Sequence, residues 1–345
     1  MNKKPKVLLY GCGKRFSENL EYIEKKYCVQ AIADIDFQKW GKYGQYDIVP
    51  PSRIPEYDFD KIVITPKEFQ GILAVLQAMG VPNRQVELLI CENEYGHKRQ
   101  NVSMSPQYMG GIICRFNDIC FYVKNRSDYM VMEDIFKKNG WDFYCKEKVV
   151  VVDIGMNIGL SCLYFANMQN VEQVYGFEPF SETYRQALDN FAGNPQLIQS
   201  KICPVNCGLT DKEREIEVSY NPLYTTNMRV DQGKRIYGES EEKVWIKTRS
   251  ASAEIHMILK KHKEKNIVLK IDCEGSEYLI FQDLVRTGIL KDIYMVLMET
   301  HDGRENEIKK QLEDFNFCYF DNYTGGFSGL GFIYALNLNC YKNRS

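Results

Sequence analysis

Four apolar runs in this chain end in residues that can ionise or coordinate, and those endings hold its candidate chemistry. Val149-Val150-Val151-Val152 is followed by Asp153, then by Gly155, Met156, Asn157 and Gly159. Residues 174–177 end in Glu178, residues 267–271 in Asp272 and Glu274, and residues 294–298 in Glu299, Thr300 and His301. Carboxylates at the edge of a buried run are costly unless they meet a counter-charge or a ligand. An imidazole among them is a candidate proton carrier. Asp272 and Glu274 are two residues apart, as are Glu299 and His301, so each pair points to one side while its backbone stays extended. Glu277 opens the next helical run, where a negative charge suits the positive end of the helix dipole.

Such endings act together only if strands hold them side by side. Four successive valines predict a central parallel strand buried on both faces, turning through two glycines into a helix over residues 160–168. Doubly wound sheets bind ligands at this carboxyl edge, where the amides of a helix N-terminus are free. Gly155 lets the backbone turn, and Gly159 permits close approach of a ligand or strand. Upstream, residues 6–10, 29–33 and 61–65 read as strands, separated by helical runs at 15–26 and 66–79. Residues 1–95 are therefore expected to form a smaller α/β nucleotide-binding-like domain. Residues 96–148 read as a linker with a lead-in strand at 119–123 and a helix capped by Ser127. Residues 149–345 form the second, larger α/β domain. The first domain carries two of three fingerprint glycines in Gly11-Cys12-Gly13-Lys14-Arg15-Phe16. Phe16 at the third position would hold the helix off a dinucleotide. Asp34 and Asp36 are the residues through which this domain would bind a ligand; a purely structural module is the alternative.

Two cofactor classes use a strand, a glycine turn, a helix and an acid closing the next strand. A dinucleotide sets its pyrophosphate on Gly-x-Gly-x-x-Gly. Here the turn is Asp-x-Gly-x-Asn-x-Gly, and Asp153 at its entrance would repel a pyrophosphate. S-adenosylmethionine has no phosphate and carries an ammonium and a sulfonium, so charge favours it. Glu178 is then placed to accept hydrogen bonds from two ribose hydroxyls. The alternative is a plain glycine turn in which Asp153 caps neighbouring amides.

Composition narrows the partners. The 44 Lys and Arg against 46 Asp and Glu leave a net charge of −2, without the basic excess of a nucleic-acid binder. No run approaches the ~18 apolar residues of a membrane span, and the start is too short in apolar residues for an export signal. The 12 cysteines form no Cys-x-x-Cys pair, so reduced thiols in a cytoplasmic protein are expected rather than zinc or disulfides. The aromatic count is uneven, with 23 Tyr and 18 Phe against 3 Trp, and is compatible with a sugar-like acceptor without specifying one.

Asp-Ile-Gly-Met-Asn-Ile-Gly (153–159), Gly-Phe-Glu-Pro (176–179), Asn-Cys-Gly-Leu-Thr-Asp (206–211), Lys-Ile-Asp-Cys-Glu-Gly-Ser-Glu (270–277) and Glu-Thr-His (299–301) occur in the order of the FkbM-type methyltransferases. The chain resembles that family over about residues 115–335. The resemblance implies a doubly wound Rossmann-like methyltransferase sheet and S-adenosylmethionine-dependent O-methylation of a small-molecule or carbohydrate acceptor, as in polysaccharide or natural-product biosynthesis. It implies that Asp153, Gly155, Asn157 and Gly159 contact cofactor and that Glu178 takes the ribose; Met156 in the same turn and Asp272 at the next strand end are expected to join them. Two departures stand out. Met156 replaces a residue that is commonly alanine, which reshapes the pocket floor, and Ser250-Ala251-Ser252-Ala253 lacks the family's Leu-Asp.

The expected mechanism is in-line displacement with His301 as base, and with Asp272 or Glu274 orienting or replacing it. Asp272, Glu274, Glu299 and Asp302 offer oxygen ligands of the kind magnesium prefers, but their spacing specifies no metal. Tyr220, Tyr224, Tyr323 and the turn at 325–329 are candidate borders of an acceptor cleft. The rival readings are a nicotinamide-dependent sugar-modifying enzyme and a non-catalytic nucleotide-binding protein.

Overall fold

The computed structural model describes residues 4–66, 70–82, 85–89, 102–106, 111–137, 140–221, 242–301, 303–323 and 331–342. The chain divides into two compact units, Met1–Lys98 and Arg99–Ser345. The lead-in residues from Arg99 onward thus belong to the second unit.

The first unit is built on β1 (Lys6–Tyr10), β2 (Cys28–Ala33), β3 (Gly41–Tyr43), β4 (Tyr46–Val49), β5 (Lys61–Ile64) and β6 (Val86–Leu88), in the order β3-β4-β2-β1-β5-β6. Only the β3–β4 pairing is antiparallel. The single helix expected over 15–26 is broken into α1 (Lys14–Glu18) and α2 (Leu20–Lys26). The cause is Asn19, whose side-chain amide donates to the Arg15 carbonyl at 2.8 Å and competes with the helical bond pattern. A third helix, α3 (Gln70–Ala78), follows β5.

The carboxyl edge of this sheet is already occupied by its own side chains. Asp34 accepts from the Cys12 amide at 2.6 Å and the Asp36 amide at 2.9 Å, with Lys39 Nζ 3.4 Å away. Arg15 donates to the Thr65 and Leu89 carbonyls at 2.7 and 2.5 Å, spanning the ends of β5 and β6. Phe16 is fully buried beneath the turn. Asp34 therefore holds the Gly11–Gly13 loop rather than presenting a free carboxylate.

The second unit opens with an antiparallel sheet of β7 (Ser103–Pro106), β8 (Ile112–Phe116) and β9 (Ile119–Val123). Its helix α4 (Arg126–Met132) is capped by Asn125, which accepts from the Asp128 amide at 3.0 Å, and not by Ser127, which already lies in the first turn. The main sheet comprises β10 (Val149–Ile154), β11 (Val171–Phe177), β12 (Ile202–Val205), β16 (Asn266–Ile271), β17 (Met295–Thr300), β18 (Phe317–Tyr323) and β19 (Gly331–Asn337). Their order is β12-β11-β10-β16-β17-β19-β18, with β19 antiparallel to both neighbours and the first five strands parallel. A small sheet of β13 (Gly208–Thr210), β14 (Arg214–Tyr220) and β15 (Glu242–Ser250) lies between β12 and β16 in the chain.

Helices α5 (Leu160–Ala166), α6 (Ser181–Ala192), α7 (Ala251–Lys261), α8 (Glu277–Thr287) and α9 (Glu305–Asp314) complete the alternation. Every residue of β10 and of β16 is buried, as the apolar runs predict. The fold is the doubly wound α/β arrangement expected, and its strand order reverses between β10 and β16. That switch point is where such sheets open a crevice at their carboxyl ends. On the other flank, Asn190 and Asn194 of the α6 region reach β9. Asn194 accepts from the Cys120 amide and donates to its carbonyl, at 2.8 and 2.7 Å, while Asn190 accepts from the Tyr122 amide at 2.8 Å. Asn190 also donates to the Ile158 carbonyl in the glycine turn at 2.9 Å.

Candidate active site

The end of β10 is fixed by a buried ion pair. Asp153 and Lys270 face one another in the β10–β16 register, with Nζ 3.0 Å from Oδ1. Neither side chain is more than 2% exposed. Lys270 also donates to the Gly155 carbonyl at 2.7 Å and lies 3.7 Å from Asp272 Oδ2, with the Trp141 ring 5.1 Å away. Burial opposes the lysine's charge, but Asp153 and Asp272 outweigh it and hold the pKa above its ordinary value. The other Asp153 oxygen accepts from Ser161 at 2.5 Å and Cys162 Sγ at 3.2 Å. Asp153, expected to face the cofactor, is instead fully buried and committed to this network.

The glycine turn spends its own amides. Gly155 and Met156 donate to the Phe177 carbonyl, Asn157 to Glu178 Oε2, Ile158 to Asn157 Oδ1, and Gly159 to the Met156 carbonyl. The free amides expected at this edge are thus absent over residues 155–159. Gly155 has φ +81, and a Cβ there would lie 1.8 Å from the Asp272 carbonyl oxygen, so its bare Cα admits the neighbouring strand end. A Cβ on Gly159 would lie 2.5 Å from the Phe191 ring of α6, so this glycine serves helix packing. Met156 is 1% exposed and packs on Gly176 and Cys162, so its side chain lies in the interior rather than on a pocket floor.

Glu178 closes β11. Its oxygens accept from the Asn157 and Phe180 amides at 3.1 and 3.0 Å, leaving a further lone pair on each. Burial raises its pKa to about 7, with the two amides working against that rise. Asn206 secures the backbone here through the Glu178 carbonyl at 2.8 Å. Beyond Pro179, a concavity of about 230 Å³ is lined by Phe180, Arg185, Tyr220 and Trp245 among others. Tyr220 stacks on Phe180 with centroids 5.1 Å apart. Tyr224, Asp302, the turn at 325–329 and the side chain of Tyr323 lie outside the described residues.

At the ends of β16 and β17 the acids converge on one imidazole. Asp272, Glu274 and His301 each offer a ligand atom, all within 4.8 Å of one another. Glu274, at φ +53, and Gly275 turn the chain from β16 into α8. His301 is 6% exposed. Its backbone amide and Nδ1 both meet Glu277 Oε1, at 2.8 and 3.0 Å, and Tyr278 donates to its carbonyl. Nε2 lies 3.4 Å from Glu274 Oε2 and 3.9 Å from Glu299 Oε1. Burial disfavours the imidazolium, but the hydrogen bond it donates to Glu277 and the charge of Glu274 outweigh it and raise the pKa to about 10. Burial raises Glu274 to about 8 and Glu299 to about 7, His301 opposing both. The surrounding carboxylates therefore favour the charged form of His301, the residue expected as a base. Its orienting carboxylate is Glu277, and neither Asp272 nor Glu274 has that task.

Sequence reasoning gave Lys270 no role and read Glu277 only as a helix-end charge. A lysine inside an apolar run, opposite an acid-ended valine run, was the signal for the first. Away from this cluster, His262 is partly buried and hydrogen-bonded to Tyr175 at 3.0 Å. Where the Leu-Asp is lacking, Ser250 caps α7, and Asp283 accepts from Ser250 and the Ser252 amide at 3.0 and 2.9 Å. No helix among the described residues is long and apolar enough to cross a membrane.

Comparison with known proteins agrees with this architecture. Residues 153–321 match the methyltransferase FkbM domain, and residues 3–87 match the C2185-like N-terminal domain. Over 106 residues the chain is 29% identical to the AMB antimetabolite synthetase AmbE of Pseudomonas aeruginosa, a stretch covering 30% of this chain and 5% of that protein. The chain thus spans a small part of that curated relative. Among solved structures it is similar to the methyltransferase FkbM of Methylobacillus flagellatus KT, at 13% identity and TM-score 0.38, covering 96% of this chain and 90% of that one. It is also similar to TYW2 of M. jannaschii in complex with AdoMet, at 12% identity and TM-score 0.34, covering 66% and 84%. Residues 153–321 of the second unit thus form an FkbM methyltransferase domain.

Proposed function

We propose that the protein transfers a methyl group from S-adenosylmethionine to a hydroxyl oxygen of a small, sugar-like acceptor. One observation carries this reading. The crevice edge combines a turn whose amides are all spent internally with Glu178, Asp272, Glu274 and Glu299 at the neighbouring strand ends. Residues 155–159 offer no free amide to a pyrophosphate, and the carboxyl groups around them can accept hydrogen bonds from, or pair with, a cationic ligand. A phosphate-free cofactor bearing an ammonium and a sulfonium fits that donor set, and a dinucleotide does not.

Glu178 would hold the ribose hydroxyls with its remaining lone pairs, and Asp272, with its side chain 29% exposed, would face the cationic end. When bound, the cofactor supplies an electrophilic methyl group. The chain's own tasks are alignment and removal of the hydroxyl proton. Glu299, with its side chain 32% exposed beside His301, is placed to accept that proton. The aromatic concavity at Phe180, Tyr220 and Trp245 supports an acceptor with a flat or sugar-like face.

Calorimetric titration with S-adenosylhomocysteine tests the reading. One site per chain is expected, with stabilisation of about 2.7 kcal/mol at a hundredfold excess over Kd. Absence of binding, with the protein folded, overturns it.

A further inference from the structure

The cluster at the ends of β16 and β17 has the form of a coordination site. Two ligands on opposite sides of a divalent ion, each at ~2.2 Å, lie ~4.4 Å apart. The ligand atoms of Asp272, Glu274 and His301 are already within 4.8 Å of one another. A separate observation concerns His301, which is nine-tenths buried. It hydrogen-bonds through Nδ1 to Glu277, a residue outside the ligand set, whereas Nε2 faces two carboxylates, Glu274 at 3.4 Å and Glu299 at 3.9 Å. A metal-ligating imidazole is ordinarily oriented in this way, with a carboxylate on one nitrogen and the other left for the ion. Local charge agrees. The nearest lysine, Lys270, is 3.7 Å from Asp272 but is committed to Asp153 and the Gly155 carbonyl.

We propose that Asp272, Glu274 and His301 Nε2 form a divalent-cation site, in which the ion displaces the Nε2 proton to solvent and leaves the imidazole neutral. Its mixed oxygen and nitrogen donors suit Mn²⁺, between the all-oxygen preference of Mg²⁺ and the nitrogen preference of Zn²⁺. Glu277 is a positioning residue that fixes the imidazole, and Glu299 lies at the margin. The proposal deepens the methyl-transfer reading by placing a cation beside the acceptor oxygen. The two fail separately, because the ion is titrated without cofactor and S-adenosylhomocysteine without ion.

The test uses the full chain, stripped with chelator and titrated with MnCl2 while free Mn²⁺ is followed by electron paramagnetic resonance. One site per chain is expected, with Kd below about 1 mM. Pulsed measurements on the wild-type complex should show coupling to an imidazole nitrogen, a readout that needs no variant to fold. His301→Ala should abolish that coupling, and Glu274→Gln and Glu277→Gln should each weaken binding by about 10–100-fold. No stoichiometric site, no nitrogen coupling, or coupling that persists in His301→Ala would each overturn the proposal. S-adenosylhomocysteine affinity measured on the same preparations reports on the cofactor reading alone.

Discussion

Lys270 stands opposite Asp153 across the β10–β16 ladder, and their ion pair ties together the two strands that flank the switch point. A charge left alone in such a place is far more costly than the pair is stabilising. Lys270→Met and Asp153→Ala are each expected to lower unfolding stability by about 3–5 kcal/mol, measured by urea denaturation. Replacing both with apolar residues should restore much of the loss. A single-variant loss under about 1 kcal/mol would place the pair with weak surface bridges and contradict its structural role. Loss of cofactor affinity in Asp153→Ala is interpretable only after this measurement.

Glu178 couples stability to pH. Its folded pKa of about 7 lies above the ordinary 4.5, so the folded protein holds this proton more tightly than the unfolded chain. The contribution is fully present below the unfolded value and is lost as pH rises through about 7, amounting to about 3 kcal/mol at most. Wild type minus Glu178→Gln stability, compared at about pH 5 and pH 8, should show that slope. A difference independent of pH would mean that the carboxyl is ionised throughout.

Glu299 carries the proton in the proposed reaction. Glu299→Gln should lower kcat by about 10²–10⁴-fold and leave S-adenosylhomocysteine affinity within a few-fold of wild type. Unchanged turnover would move proton removal to another group.

Among the described residues, backbone and side-chain groups that could cradle a dinucleotide are engaged within the protein in both units. The amides of residues 155–159 are spent in the second, and Arg15 and Asp34 bind backbone groups at the corresponding edge of the first. NADH at about 1 mM should leave Tm unchanged where S-adenosylhomocysteine raises it. A shift with NADH would revive the dehydrogenase alternative.

Strand endings were legible because Val149–Val152 and residues 267–271 change abruptly from apolar to acidic, and a doubly wound sheet brings such endings to one edge. The uses of those residues were less legible. Asp153 was read as facing a ligand because its partner lies in a distant strand, and only the β10–β16 register sets the two opposite each other. Glu277 was read as a helix-end charge because α8 alone gives it no other task; it becomes the support of His301 once β17 arrives beside it. His301 was read as a base from its position, whereas its protonation depends on carboxylates contributed by other segments. The break at Asn19 turns on one side-chain bond that periodicity cannot register.

The contact between Asn194 and Cys120 bears on self-association. β9 pairs with β8 along one side only, and its other side would otherwise present open peptide groups to any passing strand. The amide of Asn194 takes both the donor and the acceptor of Cys120, as a neighbouring peptide would, and Asn190 takes the donor of Tyr122. Two asparagines, one on α6 and one just past its end, thus act as a terminal rung at β9, closing that edge to further chains with side chains where many proteins use a charge or a proline.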